Sequence, residues 1–108
     1  VEVFAGQPVE LKLVNEDRMP HNLVVGRPGS LRQIGRAADA QGMTGDALTR
    51  NYVPDVKGIL HASPLVAEGT IEYLRFIAPD RPGRYPYVCT YPGHWQMMNG
   101  VMSVKRPE

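Results

Sequence analysis

The sequence predicts an all-β protein, a Greek-key sandwich or barrel with one short peripheral helix around residues 30–41. Three observations carry this. The 108 residues contain 11 glycines and 10 prolines spread along the chain, punctuation that suits many short strands joined by turns. Several segments alternate apolar and polar side chains with a period of two. Only one stretch has helical periodicity, which leaves about seven strands to close a two-layered or barrel-like core.

Taken in order, "VEVFAGQPVELKLVN" reads as a strand, a turn over Ala5–Pro8 and a second strand. In that second strand Val9, Leu11 and Leu13 share a face, with Glu10 and Lys12 on the other. "EDRMP" is a turn, and "HNLVVG" is a third, strongly apolar strand closed by "RPG". The helix follows. Ser30 stands at its start with Gln33 three residues on, the spacing of a capping box, and Leu31, Ile34 and Ala38 form its apolar stripe. Gly35 weakens the interior of this helix by about 1 kcal/mol relative to alanine. Residues 42–57 read as loop with a turn of helix, and "GILHAS" as a strand. In "TIEYLRFIAP", a β-branched and aromatic strand, Leu74 and Phe76 compete with Ile71, Tyr73 and Ile77 for the inner face. "RYPYVC" places Tyr85, Tyr87 and Cys89 on one face. "NGVMSVKR" closes the chain, with Met102 and Val104 opposite Val101, Ser103 and Lys105.

Length and composition fit a single domain over residues 1–108. Hydrophobic residues make up 43% and charged residues 21%, the balance of an ordinary globule. Twelve basic side chains stand against 11 acidic ones, so there is no cationic excess of the kind that nucleic acid selects. No apolar run approaches a membrane span. The one cysteine excludes an internal disulfide and says nothing of the compartment.

The chemistry concentrates in "CTYPGHWQMM", where Cys89, His94 and Met98 stand at positions 0, +5 and +9. A loop that leaves one strand, turns at Pro92–Gly93 and enters the next can aim several side chains at one point. Alone, Cys89 would be a buried, inert thiol. A thiolate, an imidazole and a thioether together suit copper, whose two oxidation states differ in softness, whereas zinc rarely recruits methionine. Copper of this kind wants a second histidine, and "MPHNLVV" offers His21 at the head of an apolar strand. His61 has no such context and reads as a surface or satisfied core histidine. A zinc hydrolase built on His21, Cys89 and His94 would leave Met98 idle and lacks a general base. A binuclear copper centre would need a second cysteine.

On "MPHNLVV" and "YVCTYPGHWQMM" the sequence resembles the cupredoxins, the small blue-copper proteins, and within them the azurins, with auracyanins and plastocyanins as relatives. The resemblance extends to "AGQPVELKLVN", which looks like the family's early hairpin, and to residues 42–63, which look like azurin's mid-chain excursion. It implies one type 1 copper held by His21, Cys89 and His94, with Met98 as the weak axial ligand in preference to its neighbour Met97. It also implies single-electron transfer without catalysis, by a free carrier or by a relay domain of a larger redox protein. Redox partners would dock near His94, inside an apolar rim to which Met19 and Trp95 belong. The implied setting is the periplasm or another extracytoplasmic space, and a monomer is expected. Asn22 is expected to tie the two ligand segments together, and the Tyr91 N–H to donate to the Cys89 sulfur.

Overall fold

The computed structural model describes residues 1–107. The chain enters as β1 (Glu2–Phe4), turns at Gly6 and leaves as β2 (Pro8–Val14). Gly6 has φ of 74°, a left-handed conformation that costs glycine little and other residues more. In β2 the expected alternation holds: Val9 is buried and Leu11 and Leu13 are half-buried, while Glu10 and Lys12 face out. β2 pairs antiparallel with β5 (Ile71–Ile77), setting Val9 opposite Phe76 and Leu11 opposite Leu74. This register settles the facing of β5. Leu74 and Phe76 are buried, and Ile71, Tyr73 and Ile77 are exposed.

The larger sheet contains β3 (Val24–Gly26), β4 (Ile59–Ala62), β6 (Gly83–Val88) and β7 (Asn99–Lys105), in the order β1-β7-β6-β3-β4. β1 runs parallel to β7, and the other pairs are antiparallel. The chain changes sheets from β1 to β2, returns at β3, changes again from β4 to β5, and returns at β6. These switches make a two-sheet sandwich. Val9, Leu74 and Phe76 from the small sheet meet Val25, Tyr85, Met102 and Val104 from the large one in its core. Val101 and Lys105 point outward, as the alternation in β7 requires.

The third strand is shorter than its sequence suggests. His21 makes only an isolated bridge with Val66, and regular pairing begins at Val24. Pro20 has no N–H to donate, so it cannot extend the ladder backward. His61 lies in β4 with its ring stacked on Phe76, centroids 4.4 Å apart. It is a packed histidine away from the loop that carries His94, and burial lowers its pKa.

The excursion between β3 and β4 holds the expected helix, α1 (Leu31–Gln41), and within residues 42–57 the expected turn of helix, the short α2 (Gly45–Thr49). The side chain of Thr44 caps α2 by accepting from the Ala47 N–H at 3.1 Å. The capping box of α1 does not form. Ser30 makes no side-chain cap bond: its backbone is α-like rather than extended, with φ −92° and ψ −2°, and its hydroxyl is turned to donate to the Arg27 carbonyl at 2.6 Å, closing the preceding turn. Among the described residues no helix is long and apolar enough to cross a membrane.

Helix α1 is held by Ile34, fully buried with Val24 and Val88, and by Trp95, which packs against the same cluster. Gly35 is the socket for that tryptophan, since a Cβ there would collide with indole atoms Cδ2 and Cε3. Gly35→Ala should therefore destabilise the protein by about 1–3 kcal/mol through overpacking, although helix propensity alone would add about 1 kcal/mol. Urea unfolding of the metal-free protein measures the sign. A stabilised variant would mean that Trp95 is not seated on the helix.

Candidate metal centre

Cys89 is buried and lies one residue beyond β6. Its N–H donates to the Met98 carbonyl at 3.0 Å, closing residues 89–98 into a loop between β6 and β7. Inside the loop the His94 N–H donates to Tyr91, and the Met97 and Met98 N–H groups donate to His94. Gly93 has φ of 85°. This sharp double turn returns His94 toward its starting cysteine. Its Nδ1 lies 3.6 Å from Cys89 Sγ.

His21 arrives from the other side. Its backbone is anchored to Val66 by paired hydrogen bonds of 3.1 and 2.6 Å, and its Nδ1 lies 3.8 Å from Cys89 Sγ. The two imidazoles sit 5.0 Å apart, tilted by 41°. One ligand atom from each of His21, Cys89 and His94 thus falls within 4.8 Å of the others. Met98 lines the same cleft of about 300 Å³ as His21, Asn22 and Val66. It is 39% exposed against 89% for Met97, which projects into solvent. The four expected residues are accordingly brought to one end of the molecule, and Met97 is turned away from it. One sulfur and two imidazole nitrogens around a common point, with Met98 lining the cleft beside His21, fit a copper ion by donor chemistry.

Asn22 is the brace. Its side-chain N–H donates to Thr90 Oγ1 and to the Asn51 carbonyl, both at 2.8 Å, while its Oδ1 accepts the Thr90 N–H at 2.7 Å. This reciprocal pair joins segments 68 residues apart, each adjacent to a ligand. The Asn51 arm reaches a segment that reading the sequence did not connect to the site. Asn51 and Tyr52 both have positive φ, 56° and 59°, and place Tyr52 edge-on against Tyr91 with centroids 5.0 Å apart. Tyr52, Tyr91 and Ala47 pack around Cys89 and close its inner side. A left-handed tyrosine leaves no mark in a sequence.

Burial raises the pKa of the Cys89 thiol, opposed by the backbone N–H groups of Asn22 and Tyr91 directed at the sulfur. The Tyr91 donor is the one expected. Burial, then the neighbouring His21, lowers the pKa of His94, against a smaller opposing pull from Asp17. Asp17 itself bonds to His21 Nε2 at 3.1 Å, a contact that the turn "EDRMP" gave no reason to expect.

Trp95 is a correction. Expected in the rim around His94, it turns inward instead. Its indole lies on α1 and its Nε1 donates to Asp39 at 2.8 Å. The larger apolar area gained on the helix outweighs exposure at a rim. Asn99 then donates to the carbonyls of Trp95 and Gln96 at 2.9 and 3.2 Å, fixing the returning limb of the loop. Met19 is exposed.

The chain matches the copper binding proteins of the plastocyanin/azurin family over residues 1–105. It is 34% identical over 104 residues to auracyanin-A of Chloroflexus aurantiacus, covering 94% of this chain and 62% of that one. Azurin of Pseudomonas aeruginosa is 29% identical over 80% of this chain and 63% of its own. The chain therefore spans somewhat under two thirds of the length of both relatives. The structure of auracyanin A, described as a "blue" copper protein of a green thermophilic photosynthetic bacterium, superposes with a TM-score of 0.83 at 30% identity, covering 97% of this chain and 84% of that one.

Asn22→Ala should cost about 1–3 kcal/mol in the metal-free protein, because it strands the buried Thr90 N–H. Thermal unfolding reads this loss. A value within 0.3 kcal/mol of zero, an order-of-magnitude bound on additivity error, would mean that the two segments are held together by packing alone.

Proposed function

Because the chain belongs to the copper binding proteins of the plastocyanin/azurin family, we propose that it passes single electrons between redox proteins through one type 1 copper held by His21, Cys89, His94 and Met98, and catalyses no reaction itself. The observation that carries this reading is the convergence of Cys89 Sγ with one ring nitrogen from each of two histidines within 4.8 Å. Copper bound there would supply a Cu(II)/Cu(I) couple that exchanges one electron at a time.

The protein's own residues do the rest. Cys89 gives up its proton on metal binding, since only the thiolate is a ligand, and the N–H groups of Asn22 and Tyr91 disperse the charge left on sulfur. Tyr52 and Tyr91 cover the thiol side and exclude water. The Asn22 brace and the Trp95 anchor hold the ligand segments in one arrangement, so little needs to move when charge changes. Met98, as a thioether, is a weak donor that tunes the couple.

Electrons would pass at the edge of His94, whose loop reaches solvent at Gly93 and Met97. A redox protein would dock there briefly, over exposed apolar side chains that include Met19. The protein would work as a monomer and as one domain, in the periplasm or another extracytoplasmic space.

Titrating metal-free protein with Cu(II) should bind a single equivalent, release the thiol proton and develop an intense visible thiolate-to-copper absorption. Cys89→Ser should abolish the colour. A colourless product, or a preference for zinc accompanied by hydrolysis, would sink the reading. Met98→Leu should shift the reduction potential while copper stays bound, and Met97→Leu should shift it far less. Equal shifts would reassign the weak ligand.

A further inference from the structure

We propose that Asp17 is a positioning residue for this centre: its carboxylate fixes His21 with Nε2 protonated and the Nδ1 lone pair facing Cys89, and favours the oxidised metal. The inference rests on the copper reading for its second half only.

Asp17 Oδ2 lies 3.1 Å from His21 Nε2. An ionised carboxylate can only accept, so the nitrogen facing it must carry the proton, and in the neutral ring the lone pair is then left on Nδ1. That is the atom 3.8 Å from Cys89 Sγ. The carboxylate is not a loose surface group that happens to lie nearby. Its other oxygen accepts the Arg18 N–H at 2.7 Å, and its own N–H donates to Asn15 Oδ1 at 2.8 Å. Asn15 is buried and donates in turn to the carbonyls of Met19 and Val66, both at 2.9 Å. Val66 is also the backbone partner of His21. One closed network thus fixes both the histidine and the acid that addresses it.

A carboxylate behind a ligating imidazole raises its basicity. Greater donation from His21, with a negative charge beyond it, stabilises Cu(II) more than Cu(I) and lowers the reduction potential. Because Asp17 is solvent-exposed, the low end of the usual effect applies, roughly a tenfold loss of Cu(II) affinity on removal. With Cu(I) affinity unchanged, tenfold corresponds to a rise of about 59 mV for one electron.

The test compares wild type with Asp17→Asn, Asp17→Ala, Asp17→Glu and Glu16→Gln. Glu16 is an exposed neighbouring acid, so its variant removes the same charge without the contact. In metal-free protein, at a pH where the ring is neutral, nitrogen NMR should find His21 protonated on Nε2 in wild type and Asp17→Glu, and mixed in the Asn and Ala variants. With copper bound, the Asn and Ala variants should rise in potential, Asp17→Glu should recover much of the wild-type value, and Glu16→Gln should move less than a third as far. An unchanged tautomer in Asp17→Ala, an unchanged potential in Asp17→Asn, or equal shifts in Asp17→Asn and Glu16→Gln would each overturn the proposal. If wild type bound no copper, the copper reading would fall while the tautomer measurement still decided the positioning role.

Discussion

The centre depends on one hydrogen-bonded side chain. Asn22 and Thr90 exchange two bonds across the interior, and each sits beside a proposed ligand, His21 on one side and Cys89 on the other. Without that exchange the two segments belong to different parts of the chain, and loop entropy would separate them. Both partners are buried, so neither can be satisfied by water, and the low dielectric that makes the pair strong also makes its loss costly. The third bond, from Asn22 to the Asn51 carbonyl, extends the same constraint to the excursion that carries α1 and α2.

Burial sets a conflict at Cys89. Packing against Tyr52 and Tyr91 excludes water from the thiol, and the same desolvation disfavours the thiolate that a metal needs. Two backbone N–H groups oppose the penalty without adding a charged residue. The result favours the neutral thiol in the metal-free protein and becomes permissive for the thiolate once a cation replaces the proton. A nearby lysine would have lowered the pKa more, but it would also have repelled the metal.

What the sequence disclosed follows from locality. Period-two alternation identified β2 and β7 because side chains on a strand report their own face. Cys89, His94 and Met98 could be found because one loop carries all three at fixed spacing, and His21 because its flanks are as distinctive. Facing in β5 was undecidable locally, since apolar residues occupied both faces; only pairing with Val9 and Leu11 selects Leu74 and Phe76. Ser30 met the pattern for a capping box, yet its backbone is α-like and its hydroxyl is turned to the preceding turn. Trp95 looked like rim because its destination, the gap at Gly35, lies 60 residues earlier by number, and Gly35 looked like a weakness of the helix for the same reason. Each is half of one contact, and neither half is interpretable without the other.

The two histidines are held by different means, and the difference suits electron passage. His21 is fixed from behind: its backbone is laddered to Val66, its Nε2 faces Asp17, and the turn that presents Asp17 is closed by buried Asn15. His94 is fixed from beside. Its ring leans on Tyr91 at 4.9 Å, and the following residue is locked to α1 through Trp95 and Asp39. Nothing among the described contacts covers the outer edge of His94 with a charged partner, whereas His21 has one. A redox protein docking on the loop, as proposed, would meet an imidazole edge with no ion to displace and no anchoring bond to break. Rigidity is supplied one residue away, by Trp95, so the half-buried His94 can keep an open edge without being loose. That division explains why a large aromatic follows His94: it holds the loop from the helix side and leaves the solvent side of the histidine free.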